Sequence, residues 1–139
     1  MKVKIKRLRP DAIIPRYSKP GDAGLDLTAV ANNMDLRGNH VYYTGLAFEI
    51  PEGHVGLLFP RSSISNTNLF SRTAVSVIDS GYRGEVTFKF GSDGGSVRYK
   101  VGDRIGQLII MPYPTIEFEE VEHLSETERG EGSYGSTGN

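Results

Sequence analysis

The chain has 139 residues, no cysteine, and sixteen basic against seventeen acidic side chains, for a net charge of −1. That length fits one domain with a core of its own. The missing cysteines exclude disulfides, thiolate zinc sites and a cysteine nucleophile, and near-neutrality gives no global pull toward nucleic acid or anionic membrane.

In chain order, the N-terminal MKVKIKRLRP places Val3 and Ile5 on one face and lysines on the other, a strand pattern. It lacks the apolar block of a signal peptide, and no run approaches the ~20 apolar residues of a spanning helix. The expected compartment is the cytoplasm. Further strands are expected at Gly45–Ile50, His54–Phe59, Glu85–Phe90, Ser96–Lys100, Arg104–Met111 and Thr115–Val121. Turn residues separate them, as at Pro51-Glu52-Gly53 and Gly102-Asp103. Only Arg61–Phe70 can hold one short helix, with Ser62 or Ser63 as its N-cap. Many short strands predict an all-β sandwich, jelly roll or small barrel. Residues 1–125 read as one β domain and 126–139 as a flexible glycine-rich arm. Basic residues crowd the start and glutamates the end. Each cluster reads as a solvated face, or the two ends touch within or between subunits.

Five polar segments interrupt the strand pattern. In PGDAGLDLTA (Pro20–Ala29), glycines make a turn before a strand, and Asp22 or Asp26 could hold Mg²⁺ directly or through water. In PRSS (Pro60–Ser63), a guanidinium and two hydroxyls form an anion site or a plain N-cap. In VIDSGYRGEV (Val77–Val86), Ser80-Gly81 suggests a β-hairpin with Tyr82 near its base. There Asp79 is either a turn-closing acid or a general base. In GDRIGQLII (Gly102–Ile110), Gln107 interrupts an apolar strand and needs partners, either backbone groups or a phosphate. The tail RGEGSYGSTGN (Arg129–Asn139) is a frayed end, or a glycine-rich backbone that wraps an anion. It carries no GxxxxGK[ST] and so is no P-loop.

In order and spacing these segments resemble the five motifs of the trimeric dUTPase family, from about Pro20 to Gly138. The resemblance implies an all-β distorted jelly roll of the dUTPase β-clip type. It implies hydrolysis of dUTP to dUMP and pyrophosphate, which keeps uracil out of DNA and supplies dUMP for thymidylate synthesis. It implies Mg²⁺ as cofactor and a homotrimer with the arm closing over a neighbouring subunit's site. By the same resemblance Asp26 matches the residue that holds Mg²⁺ through water, and Asp79 the one that activates the attacking water. Arg61, Ser62, Ser63 and Gln107 match phosphate contacts. Tyr82 matches the tyrosine under the deoxyribose. Ser76, Val77, Ile78 and Thr87 fall in the segments that form the uracil pocket. Arg129 matches the partner of the γ-phosphate, and Tyr134 the ring that stacks on uracil. Gly135, Ser136 and Thr137 fall among the tail's phosphate contacts. Ser63, Ser76 and Ser133 stand where many members have glycine, and Gly106 where alanine is common. Thr73 stands where some members have an asparagine near the base. No membrane and no direct nucleic-acid partner is expected, while a regulatory protein partner leaves no readable motif. The competing readings are a deoxycytidine triphosphate deaminase, a non-catalytic relative and a plain β-sandwich binding module. The Asp79–Tyr82 pattern argues against the first, the full set of catalytic-type residues against the second, and the five ordered motifs against the third.

Overall fold

The computed structural model describes residues 1–138; Asn139, the last residue of the expected arm, lies outside them. The regular structure of the described residues is ten strands and one 3-10 turn. The strands are β1 (Lys4–Arg7), β2 (Leu25–Thr28), β3 (Ala31–Met34), β4 (His40–Tyr43) and β5 (Leu46–Glu49). They continue with β6 (His54–Pro60), β7 (Leu69–Ser71), β8 (Ser76–Ile78), β9 (Thr87–Ser92) and β10 (Arg104–Pro112). All pairings are antiparallel. Two four-stranded sheets run β2-β10-β6-β8 and β3-β4-β9-β7, and β1 pairs with β5. This is the expected all-β jelly roll. No helix of the described residues is long and apolar enough to cross a membrane.

The alternation read in the sequence decides which faces meet. Leu58, Ile105 and Leu108 point inward from one sheet and Tyr42, Phe88 and Phe90 from the other, all buried. Each such side chain contributes roughly 1.5–3 kcal/mol through burial. Tyr42 meets Phe90 edge-on at 5.6 Å between ring centroids, and its hydroxyl donates to the Tyr99 carbonyl at 2.9 Å. Phe48 and Ile50 join the same core beside β5.

Four expectations are corrected. Ser96–Lys100 is not a strand, although its Tyr99 is buried. The side chain and amide of Asn68 take the Val97 backbone groups instead of a ladder, each at 2.9 Å. Thr115–Val121 pairs with no strand among the described residues, and Phe118 is 92% exposed. An alternating segment needs a neighbour to become a strand, and the described residues supply none here. The short helix is the 3-10 turn Ser62–Asn66, and Arg61, not a serine, is its N-cap, with no side-chain cap bond. The hairpin at Val77–Val86 does not form. β8 pairs with β6, whereas β9 pairs with β4 and β7 in the other sheet. The Asp79–Tyr82 turn carries the chain between sheets.

Body contacts end early. The amide of Tyr113 donates to the Gly53 carbonyl at 3.0 Å. From Met111 to Gly138 every residue except Gly132 is exposed.

Candidate functional site

Strand pairing brings three sequence-distant segments together. Gln107 on β10 lies opposite Asp26 on β2 and, on its other side, opposite Phe59 on β6. Arg61 and Ser62 follow directly from the end of β6. The result is a polar pocket of about 510 Å³, whose lining includes Lys19, Asp26, Arg61, Ser62, Arg104 and Gln107. Gln107 donates from Nε2 to the Pro60 carbonyl at 3.4 Å, which ties β10 to the PRSS turn. Gly24 makes room for it: a Cβ there would stand 2.1 Å from Gln107 Oε1. Asp22 is spent locally, accepting from the Lys19 amide at 2.8 Å.

Asp26 is the half-buried carboxylate of this pocket. Its Oδ1 meets Arg61 Nε at 2.9 Å and its Oδ2 meets Arg104 Nη1 at 3.2 Å. Arg61 Nη1 also donates to the Arg104 carbonyl at 3.3 Å and to Ser63 Oγ at 3.5 Å. Charge is therefore fixed at the pocket before any ligand arrives. Cations prevail, since one carboxylate is shared by two guanidiniums and the other serves a turn. Such a surface suits an anion with several oxygens.

A second group of expected residues lies elsewhere. Ser76, Val77 and Ile78 form β8, opposite Leu58, Leu57 and Gly56 respectively. Arg61 lies five residues beyond Gly56, so Ile78 and Arg61 are separated by about 16 Å at 3.3 Å per residue. Asp79 follows on the exposed turn, closed by Tyr82 N donating to the Asp79 carbonyl at 3.0 Å. The Tyr82 side chain folds over Gly84, where a Cβ would meet its hydroxyl at 2.3 Å, and that hydroxyl donates to the Glu85 carbonyl at 3.1 Å. Glu85 accepts from the Gly45 amide at 2.7 Å, and Val86 N donates to Leu46 O at 2.9 Å. The turn thus stands on a firm base. Thr87 opens β9 opposite Tyr43, in the other sheet. β8 is an edge strand, so one side of its backbone is free to bond a ligand.

The third group is the tail. Arg129 Nε donates to the Gly132 carbonyl at 3.0 Å, and Ser136 N to Ser133 O at 3.0 Å. Among the described residues, the hydrogen bonds of 127–138 stay within the tail. Tyr134 is fully exposed, with a φ of 34° that a non-glycine residue rarely adopts. Gly135 and Thr137 are exposed beside it. One chain therefore gathers Asp26, Arg61, Ser62 and Gln107, and leaves the Asp79 turn and the tail apart from them.

The dUTPase family model matches residues 10–138. This chain belongs to the dUTPase family. It is 39% identical over 146 residues to the deoxyuridine 5'-triphosphate nucleotidohydrolase of Anaplasma marginale, covering 99% of each chain. Its fold is similar to that of the Staphylococcus bacteriophage 80alpha dUTPase with dUPNHPP, at a TM-score of 0.84, 29% identity and 99% of each chain. It is also similar to a mutant dUTPase from phage phi11 of S. aureus, at a TM-score of 0.74 and 25% identity, covering 88% of this chain and 98% of that one. That protein reveals the coordination of a structural Mg(II) ion.

Within this dUTPase chain the departures from common family residues have local explanations. Ser63 Oγ shares a hydrogen bond with the Tyr99 hydroxyl at 3.1 Å, tying the PRSS turn to the core. Ser76 Oγ bonds Thr73 Oγ1 at 3.0 Å. At Gly106 a Cβ would meet the Phe88 ring at 2.2 Å, so the ring fills the space that an alanine methyl would need. Nothing in the structure explains Ser133. Lys19 and Arg104 escaped the sequence reading, the latter because a lone arginine at a strand start looks like a solvated charge.

A divalent cation at the pocket would need carboxylate or imidazole donors. Among the described residues there is no group of three or more histidine, aspartate or glutamate side chains, so there is no all-protein cage. Mg²⁺ typically keeps several waters and binds one or two carboxylates plus substrate phosphates. Asp26, a single hard oxygen donor set beside an anion pocket, fits that pattern through water.

Proposed function

We propose that this chain hydrolyses dUTP to dUMP and pyrophosphate, with the site completed where copies meet in a homotrimer. The observation that carries the reading is the pocket itself. Asp26, Arg61, Ser62 and Gln107, from three separate motifs, line one anion-suited cavity. The exposed turn with Asp79 stands at the far end of the sheet, and the exposed tail is bound to neither. A second copy's Asp79 turn brought to the pocket, and an arm from a further copy closing over it, would join all five motifs. The exposed apolar residues Ile116, Phe118 and Leu124 support this arrangement, because a neighbouring copy would cover them.

In the reaction, the Asp79 carboxylate accepts a proton from a water in line with the α-phosphorus. The water oxygen bonds to that phosphorus as its bond to the bridging oxygen of the β-phosphate breaks. The electron pair leaves on pyrophosphate. Arg61, Ser62, Ser63 and Gln107 hold phosphate oxygens. Arg129 adds positive charge where it grows in the transition state. Asp26 would hold Mg²⁺ through water, and the ion would supply charge neutralisation on the phosphates. Free backbone groups at Ser76–Ile78, together with Thr87, read uracil. The Tyr82 face packs under the sugar and excludes a 2′-hydroxyl. Tyr134 stacks on the base, while Gly135, Ser136 and Thr137 contact phosphate. This chemistry suits the cytoplasm, where it would limit uracil in DNA and provide dUMP.

Purified protein with Mg²⁺ is offered dUTP, UTP, dCTP and dTTP, and products are separated. Pyrophosphate and dUMP from dUTP alone are expected. Ammonia release from dCTP, or no turnover of dUTP, would overturn the reading.

A further inference from the structure

Arg104 takes no part in the proposed chemistry, yet it holds the second oxygen of Asp26. Its placement depends on an irregularity. β10 pairs with β2 in regular register from Leu108 to Gly106, then shifts between Gly106 and Arg104, so that Arg104 lies opposite Thr28. Ile105 is the extra residue, and it is fully buried. Strand side chains alternate faces, so an unbroken ladder would turn Arg104 away from Gln107. The bulge re-aims it to the face shared by Asp26 and Thr28.

This geometry has an electrostatic consequence. Arg61 spends its Nε on Asp26 while it waits for a ligand. A phosphate can claim that guanidinium only if Asp26 keeps another cation. Arg104 is that cation, bound to the other oxygen, and it is half exposed and free to adjust. We propose that Arg104 is a positioning residue that holds Asp26 so that Arg61 can pass from the carboxylate to an incoming phosphate. The proposal rests on the reading of the pocket as a triphosphate site. Without Arg104, Asp26 and the phosphate compete for one guanidinium, and phosphate binding weakens. Arg104 uses a single nitrogen on Asp26, so a lysine can stand in for it.

The test is titration of dUPNHPP, in the presence of EDTA, onto the full chain and onto the variants Arg104→Gln, Arg104→Lys, Asp26→Asn and Arg104→Gln with Asp26→Asn. Thermal melts establish that each is folded. Wild type is expected to bind. Arg104→Gln should weaken dUPNHPP binding about tenfold while dUMP binding moves less than about twofold, and Arg104→Lys should recover most of the loss. In the Asp26→Asn background the Arg104→Gln effect should vanish, because Arg61 is no longer held. In turnover assays Arg104→Gln should raise KM far more than it lowers kcat. An equal loss in the Asp26→Asn background, no loss in folded Arg104→Gln, or no recovery with folded Arg104→Lys would overturn the proposal. Failure of wild type to bind dUPNHPP and to hydrolyse dUTP would instead overturn the function on which it rests.

Discussion

The Asp26 pocket and the Asp79 turn lie on one sheet but are built in opposite ways. Around Asp26 the charged and amide groups bridge segments, with Arg61, Arg104 and Gln107 each bonded to another part of the chain. Around Asp79 the contacts are local. Tyr82 bonds back to Asp79 and Glu85, and Arg83 Nη1 donates to the Ser80 carbonyl at 2.6 Å. The pocket's shape depends on three strands keeping register, whereas the turn keeps its shape by itself and presents a carboxylate. Binding a charged ligand favours the first construction, because its groups are held before the ligand comes. Proton transfer favours the second, because a reachable, unencumbered carboxylate can approach from another molecule.

That contrast can be broken or sharpened by substitution. The largest effect is expected from Asp79→Asn, which removes the proton acceptor but not the shape. Turnover should fall on the order of 10²–10⁴-fold, while dUPNHPP affinity by calorimetry stays within about twofold. Unchanged turnover would mean that the turn has no chemical part. Ending the chain at Glu128 should lower kcat/KM by about 10²-fold, the scale of losing transition-state donors. The melting temperature should barely move, because the tail's hydrogen bonds are internal; a large drop would mean that the tail belongs to the body. Gly24→Ala should displace Gln107 and reduce kcat/KM by about tenfold, with an overpacking cost of about 1–3 kcal/mol seen in chemical denaturation. Normal values for both would show the pocket to be more pliable than its register suggests.

The smallest effect serves as a control outside both regions. Asp35 accepts from the Arg37 and Asn39 amides and from Asn39 Nδ2, each at 2.9 Å. The Asn39 side chain foremost, and its amide next, hold the Asp35 carboxyl well below the usual range. Its contribution is fully present above the unfolded value of about 3.9 and is lost as pH falls below it. Asp35→Ala should therefore flatten the fall in melting temperature below that pH and leave dUTP turnover at neutral pH unchanged. An identical melting profile for the variant would remove Asp35 from the acid response.

The contrast also marks what the sequence makes legible. β6 and β10 are apolar runs bounded by turn residues, so their existence could be read directly. β3, Ala31-Asn32-Asn33-Met34, has no such pattern, since three of its four residues are exposed. Its strand state comes from pairing with β4. Ser96–Lys100 does alternate, but the Asn68 side chain takes the bonds that a neighbouring strand would have made. Thr115–Val121 alternates without a partner strand among the described residues. Among the candidate site residues, the segments could be found from their chemistry, but not their grouping. Nothing local says that Asp26 faces Gln107 while Asp79 stands apart, because that follows from which strand lies beside which. Arg104 is hidden for the same reason, since a bulge leaves no reliable mark in the letters.

The bulge at Ile105 also limits how this protein can change over generations. Between Asp103 and Gln107 the identity of a residue can drift where size and polarity allow. The irregularity cannot. Pairing this stretch straight through at the same length would set Ile105 opposite Thr28, turning an arginine inward and an isoleucine toward water in a single step, so descendants of this chain should vary in spelling there but keep the bulge.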